Sequence, residues 1–148
     1  MKEGRDSTNL VDPNHAFGAL CAAMIDRFGE EAETIIRDLC ARRGLALGET
    51  LASALSRRSF ATGVEAFVAA SQQSKTPAKI VSLTDKRAVV IGERCPLGLQ
   101  GKGLSVCKAL MAVDTGILQM ACGQEIRVTI EKSVAKGDDH CLVILEPV

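Results

Sequence analysis

The fold of this chain is decided by one stretch, residues 94–141, which reads RCPLGLQGKGLSVCKALMAVDTGILQMACGQEIRVTIEKSVAKGDDHC. Its middle, residues 104–121, has the three- and four-residue apolar spacing of a helix and is apolar nearly all round. A helix of that kind is buried on two sides. Residues 126–131 then alternate between apolar and polar side chains, which is typical of a half-buried strand. The stretch therefore predicts a helix lying across a sheet.

Strand-like segments also flank this stretch. Two short runs rich in β-branched residues, 79–83 and 87–92, precede it and are joined by a turn, and a continuous apolar run, 141–145, ends the chain. The predicted order is ββαββ, which forms an antiparallel sheet with one helix across it.

The amino half of the chain is predicted to be helical. Apolar stripes at helical spacing predict four helices, and Gly29 and Gly44 are expected to end the first two. The predicted fold class is α+β, with four amino-terminal helices followed by a ββαββ antiparallel sheet unit. The expected organisation is a flexible leader over residues 1–13, a helical subdomain over 14–73 and an α/β ligand-binding subdomain over 77–148.

Composition excludes several classes of function. The 18 basic and 18 acidic side chains cancel, and the chain has four Phe but no Trp or Tyr, so a nucleic-acid surface is not expected. We expect no apolar run of the roughly 20 residues that span a bilayer, and residues 1–14 lack the apolar core of a signal peptide. We expect a cytoplasmic protein with no membrane contact, whose six cysteines are free, metal-bound or catalytic.

Three cysteines, Cys95, Cys107 and Cys141, stand at the boundaries of predicted elements. If the second and last strands are neighbours, the three thiols meet at one end of the sheet and could hold zinc or an iron–sulfur cluster. The start of a helix is also expected to lower the pKa of Cys107. The fourth metal ligand could be Glu131, Asp114, His140, water or a bound substrate, and Asp114, among apolar neighbours, is a candidate general acid or base. The alternative is that these cysteines are buried apolar side chains and that this carboxylate reaches solvent.

The motifs of both halves resemble known families. Cys95-Pro96-Leu97-Gly98, Cys107 and the Gly137-Asp138-x-x-Cys141 ending are similar to the 4-vinyl reductase domain and the methanogen output domain, which bind small molecules. The stretch Phe28-Gly29-Glu30-Glu31-Ala32 resembles the L-2-amino-thiazoline-4-carboxylic acid hydrolase family. The resemblance implies a zinc site near the final hairpin, but Ser133 stands where one of its cysteines would be.

These observations favour a sensor-type module that binds a small molecule or a metal centre through Cys95, Cys107 and Cys141. An enzyme is the alternative: a hydrolase of a small cyclic amidine or amide, with Cys107 and Asp114 as catalytic residues. A third interpretation is an accessory protein whose cysteines only pack. A homodimer or a partner protein is also expected, because an exposed strand edge can pair with another chain.

Overall fold

A computed structural model of the chain describes residues 9–148. Three helices come first, then a strand hairpin, two helices that follow each other closely, and two more strands. The helices are α1 (Pro13–Phe28), α2 (Glu30–Ser53), α3 (Phe60–Ser71), α4 (Leu104–Leu110) and α5 (Ala112–Cys122). The strands are β1 (Ala78–Leu83), β2 (Ala88–Gly92), β3 (Ile126–Lys132) and β4 (Cys141–Pro147). The α+β class and the antiparallel sheet are confirmed.

The amino half has three helices within the described residues rather than the four that were predicted. The predicted end at Gly44 is wrong, because α2 runs through both Gly44 and Gly48. A Cβ atom on Gly44 would lie 2.2 Å from the carbonyl oxygen of Val113, and one on Gly48 would lie 2.8 Å from the Cα atom of Ile117. These glycines therefore allow α2 to lie directly against α5, and they do not break the helix.

Helix α1 begins at Pro13. The side chain of Asp12 accepts hydrogen bonds from the backbone N–H groups of Asn14 and His15, so Asp12 is the N-cap. Gly29 does end α1, with a φ of 65° that favours glycine. The leader predicted for residues 1–13 lies mostly outside the described residues.

The four strands are arranged in the order β1-β2-β4-β3, and every neighbouring pair is antiparallel. Gly92 at the end of β2 lies opposite Cys141 at the start of β4. Val90 and Leu145 are buried on one face of the sheet, where they pack with Val64 of α3 and Leu118 of α5. The helices that contribute to this core thus cover the inner face of the sheet.

Helices α4 and α5 are the apolar segment of the opening stretch. The N–H of Met111 at their junction bonds to the carbonyl of Cys107, so the two helices are almost continuous. By length and composition alone, Leu104–Cys122 could cross a membrane, which corrects the expectation that no run is long enough. Its apolar character has another physical reason, since Gly116 packs against α2 while Leu118 packs into the core on the sheet.

Candidate functional site

A cavity of about 850 Å³ lies between α2, the α4–α5 pair and the inner face of the sheet. Its lining is mostly apolar, and a small number of polar side chains interrupt it. Representative lining residues are Cys40 and Leu47 on α2, Asp114 and Ile117 on α5, and Val143 and Leu145 on β4. A concave site of this size with few polar groups has the properties of a small-molecule site.

The structure brings Cys95, Cys107 and Cys141 together at one end of this cavity, and we call them the thiol cluster. Pairing of β2 with β4 places Cys141 beside Gly92, and Cys95 follows three residues later. Cys107 lies on α4 above this end of the sheet and is 9% exposed, whereas the other two are half-buried. Cys95 and Cys141 are close enough to Cys107, and Cys95 is close enough to Cys141, to add to the raised pKa that burial gives Cys107 and Cys141.

Ser133 organises the thiol cluster from the loop before β4. Its hydroxyl is buried, lies 3.4 Å from the Sγ of Cys107 and accepts a hydrogen bond from the N–H of Ala135. Its own N–H donates to the carboxylate of Asp138. In addition, the Sγ of Cys141 accepts from the N–H of Val134 at 3.5 Å. From the sequence, Ser133 was noted only because it stands where the resembled families have a cysteine. In the structure its hydroxyl has a structural role.

The expectation of a lowered pKa for Cys107 is wrong. Burial raises the pKa of this thiol, and the nearby Cys141 and Cys95 add to the increase, while the hydrogen bond with Ser133 opposes it. Burial likewise raises the pKa of Cys141, against the opposing effect of the Val134 N–H. Desolvation of a thiolate therefore outweighs the helix terminus at this site. Both thiols are protonated at neutral pH, which weakens them as nucleophiles.

The predicted metal ligands are only partly brought together. Within residues 9–148, no group of three or more His, Cys, Asp or Glu side chains is placed to hold a metal ion. Glu131 is exposed on β3 and is not part of the cavity lining. His140 pairs with Asp139 instead of the thiols. The zinc or iron–sulfur centre therefore stays a prediction.

Asp114 lies in the first turn of α5 and lines the cavity. Burial alone raises the pKa of its carboxyl from 3.8 to about 6. Its charge raises the pKa of both Cys40 and Cys107, which places it between α2 and the thiol cluster. The prediction of a carboxylate among apolar neighbours is thus consistent with its position, while its catalytic role stays a prediction.

The segment 97–103, at the edge of the cavity, is held on two sides. A Cβ atom on Gly18 of α1 would lie 2.2 Å from the carbonyl oxygen of Leu97, so α1 is in direct contact with this segment. The N–H groups of Gly101 and Gly103 donate to the carbonyls of residues 134 and 135. Leu99 is 2% exposed. Because opening would break these contacts, we do not expect this segment to act as a gate.

Two features of the cavity could not be read from the sequence. Cys40 is 3% exposed and packs in the core, but it also lines the cavity. Arg43, one turn further along α2, lines the cavity as well; burial raises the pKa of Cys40, and the charge of Arg43 opposes that increase. Only the pairing of α2 with α5 places these side chains at the site.

Comparisons with known proteins identify the fold. No family model matches the sequence, and no curated protein matches it. The structure is similar to the phenol-responsive sensory domain of the transcription activator PoxR, solved with phenol, with a TM-score of 0.71 and 17% identity over 90% of this chain and 74% of that one. It is also similar to a trafficking protein particle complex subunit 3 from Naegleria fowleri, covalently bound to palmitic acid, with a TM-score of 0.65 and 14% identity over 91% and 95% of the two chains.

At such low identity these similarities show the α+β fold alone. The resemblance to the 4-vinyl reductase, methanogen output and thiazoline hydrolase families, noted from short motifs, is not identified by any comparison. That finer assignment stays a prediction.

Proposed function

We propose that this chain is a small-molecule-binding module of the sensor type, and that its ligand lies in the cavity between α5 and the sheet. The observation that carries the proposal is the cavity itself, about 850 Å³ in volume and mostly apolar in lining. Burying hydrocarbon in such a site contributes about 25 cal/mol for each Å² removed from water. The ligand is therefore a mainly hydrocarbon molecule.

The structural neighbours support this proposal. The PoxR sensory domain was solved with phenol, and the Naegleria protein carries palmitic acid. Both molecules are apolar over most of their surface. A shared fold that accommodates an apolar molecule in each neighbour is consistent with the same use of the cavity here.

Naphthalene is a suitable probe for the test. Because the chain has no Trp or Tyr, naphthalene fluorescence can be followed without a strong protein signal. Wild-type protein is expected to bind naphthalene with one site per chain. Val143→Phe adds a ring to the cavity lining and should weaken binding by at least about tenfold, which corresponds to about 1.4 kcal/mol.

The matched control is Val81→Phe, because Val81 is 61% exposed and does not line the cavity. It should bind naphthalene as the wild type does. Equal loss of binding in both variants, or no binding by the wild type, would contradict the proposal. Circular dichroism spectra of both variants check that the fold is retained.

A zinc or iron–sulfur centre on the thiol cluster is the finer form of this proposal. Its support is the proximity of three thiols at one end of the cavity. Metal analysis and a visible spectrum of anaerobically purified protein test it, with Cys107→Ala as the variant. Stoichiometric metal that is lost in the variant would support the centre, whereas wild-type protein without zinc or iron would refute it.

A further inference from the structure

Asp114 is a carboxyl group inside an apolar site without a partner. Within residues 9–148 no ion pair and no hydrogen bond reaches this carboxyl, and burial raises its pKa. Arg43 lines the same cavity, but no ion pair joins it to this carboxyl. A buried charge without a partner destabilises a fold, and such a group calls for an explanation.

The oxygens of this carboxyl remain accessible from the cavity. Throughout the described part of the chain, every completely buried polar side-chain atom has a hydrogen-bond partner. Asp114 has no such partner, so its oxygens are not completely buried, and the residue lines the cavity. A ligand in the cavity is therefore in reach of a strong hydrogen-bond acceptor.

We infer that Asp114 determines ligand specificity by accepting a hydrogen bond from the ligand, which is a mainly apolar molecule with one donor group, a hydroxyl or an amine. This inference rests on the proposed function. The physical reason is that a donor on the ligand restores the interaction the carboxylate lost with water. The thiols of the lining are weak donors and acceptors by comparison. A ligand ether at the same place would leave the Asp114 carboxylate unpaired, and a ligand carboxylate would be repelled by it.

Three naphthalene derivatives of similar size test the inference: 2-naphthol, 2-methoxynaphthalene and 2-naphthoate. At pH 8 the wild type should bind 2-naphthol at least about tenfold more tightly than the methyl ether, as expected for a hydrogen bond to a charged group. It should bind 2-naphthoate most weakly. Asp114→Leu should bind 2-naphthol and the ether within about twofold of each other, and its affinity for naphthalene should not fall.

The outcomes separate the two proposals. If naphthalene and its derivatives bind with equal affinity, or if Asp114→Leu keeps the preference for 2-naphthol, the role of Asp114 is refuted while the cavity remains a binding site. If no naphthalene compound binds the wild type, the proposed function itself fails. Asp114→Asn is the second variant, since it keeps the size of the side chain and should also lose discrimination against 2-naphthoate.

A second and independent observation concerns the outer surface of α1 and α2. Outside the cavity lining, four large apolar side chains on these two consecutive helices are between 41% and 61% exposed, namely Leu20, Met24, Phe28 and Ile35. We call them the α1–α2 patch. Exposed apolar clusters of this kind mark interaction surfaces.

Charges on α2 indicate what covers this patch. Ile35 shares an exposed helical face with Glu31, four residues earlier, with Asp38, three residues later, and with Arg42, seven residues later. Neither Glu31 nor Arg42 forms an ion pair within the described chain. They lie about 16 Å apart along the helix, on opposite sides of the patch centre. A second α2 that runs antiparallel over this face would place Glu31 of one copy beside Arg42 of the other.

We propose that two copies of this chain dock through the α1–α2 patch, with their α2 helices antiparallel about a two-fold axis. Such an interface is self-complementary in charge and in apolar surface. Sedimentation equilibrium is expected to show a dimer, and Ile35→Asp should dissociate it. The matched control is Val81→Asp, because Val81 is as exposed as Ile35, at 61%, but lies on β1.

Charge reversal tests the geometry of docking. Glu31→Arg and Arg42→Glu should each weaken the dimer. The double variant should restore it, because both charges are then reversed and residues 31 and 42 of the two copies again carry opposite charges. A monomeric wild type would refute the interface. A dimer that resists Ile35→Asp, or a double variant that stays monomeric, would refute this surface or this orientation.

Discussion

Replacing Asp114 with asparagine should stabilise the protein at neutral pH. The carboxyl pKa is raised from 3.8 to about 6, with burial as its cause. Each pKa unit corresponds to about 1.36 kcal/mol, so ionised Asp114 lowers the free energy of unfolding by at most about 3 kcal/mol. Because the side chain is half-buried and faces the cavity, solvent there reduces this upper bound. Asparagine has a similar size and carries no charge.

The pH dependence follows from the sign of the shift. The pKa is higher in the folded than in the unfolded state, so the folded protein binds this proton more tightly. The contribution of Asp114 is fully favourable below about pH 4 and is lost as the pH rises to about 6. The variant should therefore match the wild type near pH 4 and exceed it increasingly up to pH 6. Above that pH the difference should be constant.

Urea unfolding followed by far-UV circular dichroism measures this difference between pH 4 and pH 8. A gain of up to about 3 kcal/mol moves the midpoint by about 1–2 M urea. The control is Asp26→Asn, since Asp26 is exposed on α1, and it should leave the midpoint nearly unchanged at each pH. A difference for Asp114→Asn that is independent of pH, or a loss of stability at pH 8, would refute the burial of an uncompensated charge.

Three further predictions concern packing and the thiols. Gly44→Ala should lower the free energy of unfolding by about 1–3 kcal/mol, because the new Cβ would meet the carbonyl oxygen of Val113, and this outweighs the better helix propensity of alanine. Urea unfolding measures the loss. The control is Thr50→Ala, at an exposed position of the same helix, which should change the free energy of unfolding little. Ser133→Ala should lose about 1–3 kcal/mol in the same assay, since it leaves a buried N–H without an acceptor; an unchanged midpoint would contradict that role. Iodoacetamide should modify the two half-buried thiols of the thiol cluster before Cys21 and Cys122, whose pKa values are about 11, as mass spectrometry of the peptides would show, and the reverse order would be evidence against the packing described.

Local patterns predicted the elements of the second half well. The four predicted strands coincide with β1 to β4 to within two residues at each end, because strand formation follows alternation and β-branched content over a few residues. The predicted number of amino-terminal helices was wrong because a glycine such as Gly44 can have either of two structural roles. A glycine ends a helix when its φ is positive, but inside a helix it allows a second helix to approach. Only the position of α5 decides between them.

The candidate site was predictable to a similar extent. Cysteines at element boundaries indicated which thiols could meet, and the structure places them near one another. The ionisation of Cys107 was mispredicted because burial depends on the whole fold, whereas the helix start is local. The cavity is lined by residues from α2, α5, β2 and β4. No local sequence pattern predicts a cavity between elements so far apart in the chain.

The sequence by itself determined the α+β class, the strand positions, the apolar core helix and the cysteines that share one end of the sheet. These properties depend on periodicity and on short turns, which act over a few neighbouring residues. Tertiary structure alone decided the cavity, the isolation of Asp114 and the exposure of the α1–α2 patch. Each of these depends on which surfaces remain uncovered after packing, and that is a property of the entire chain at once.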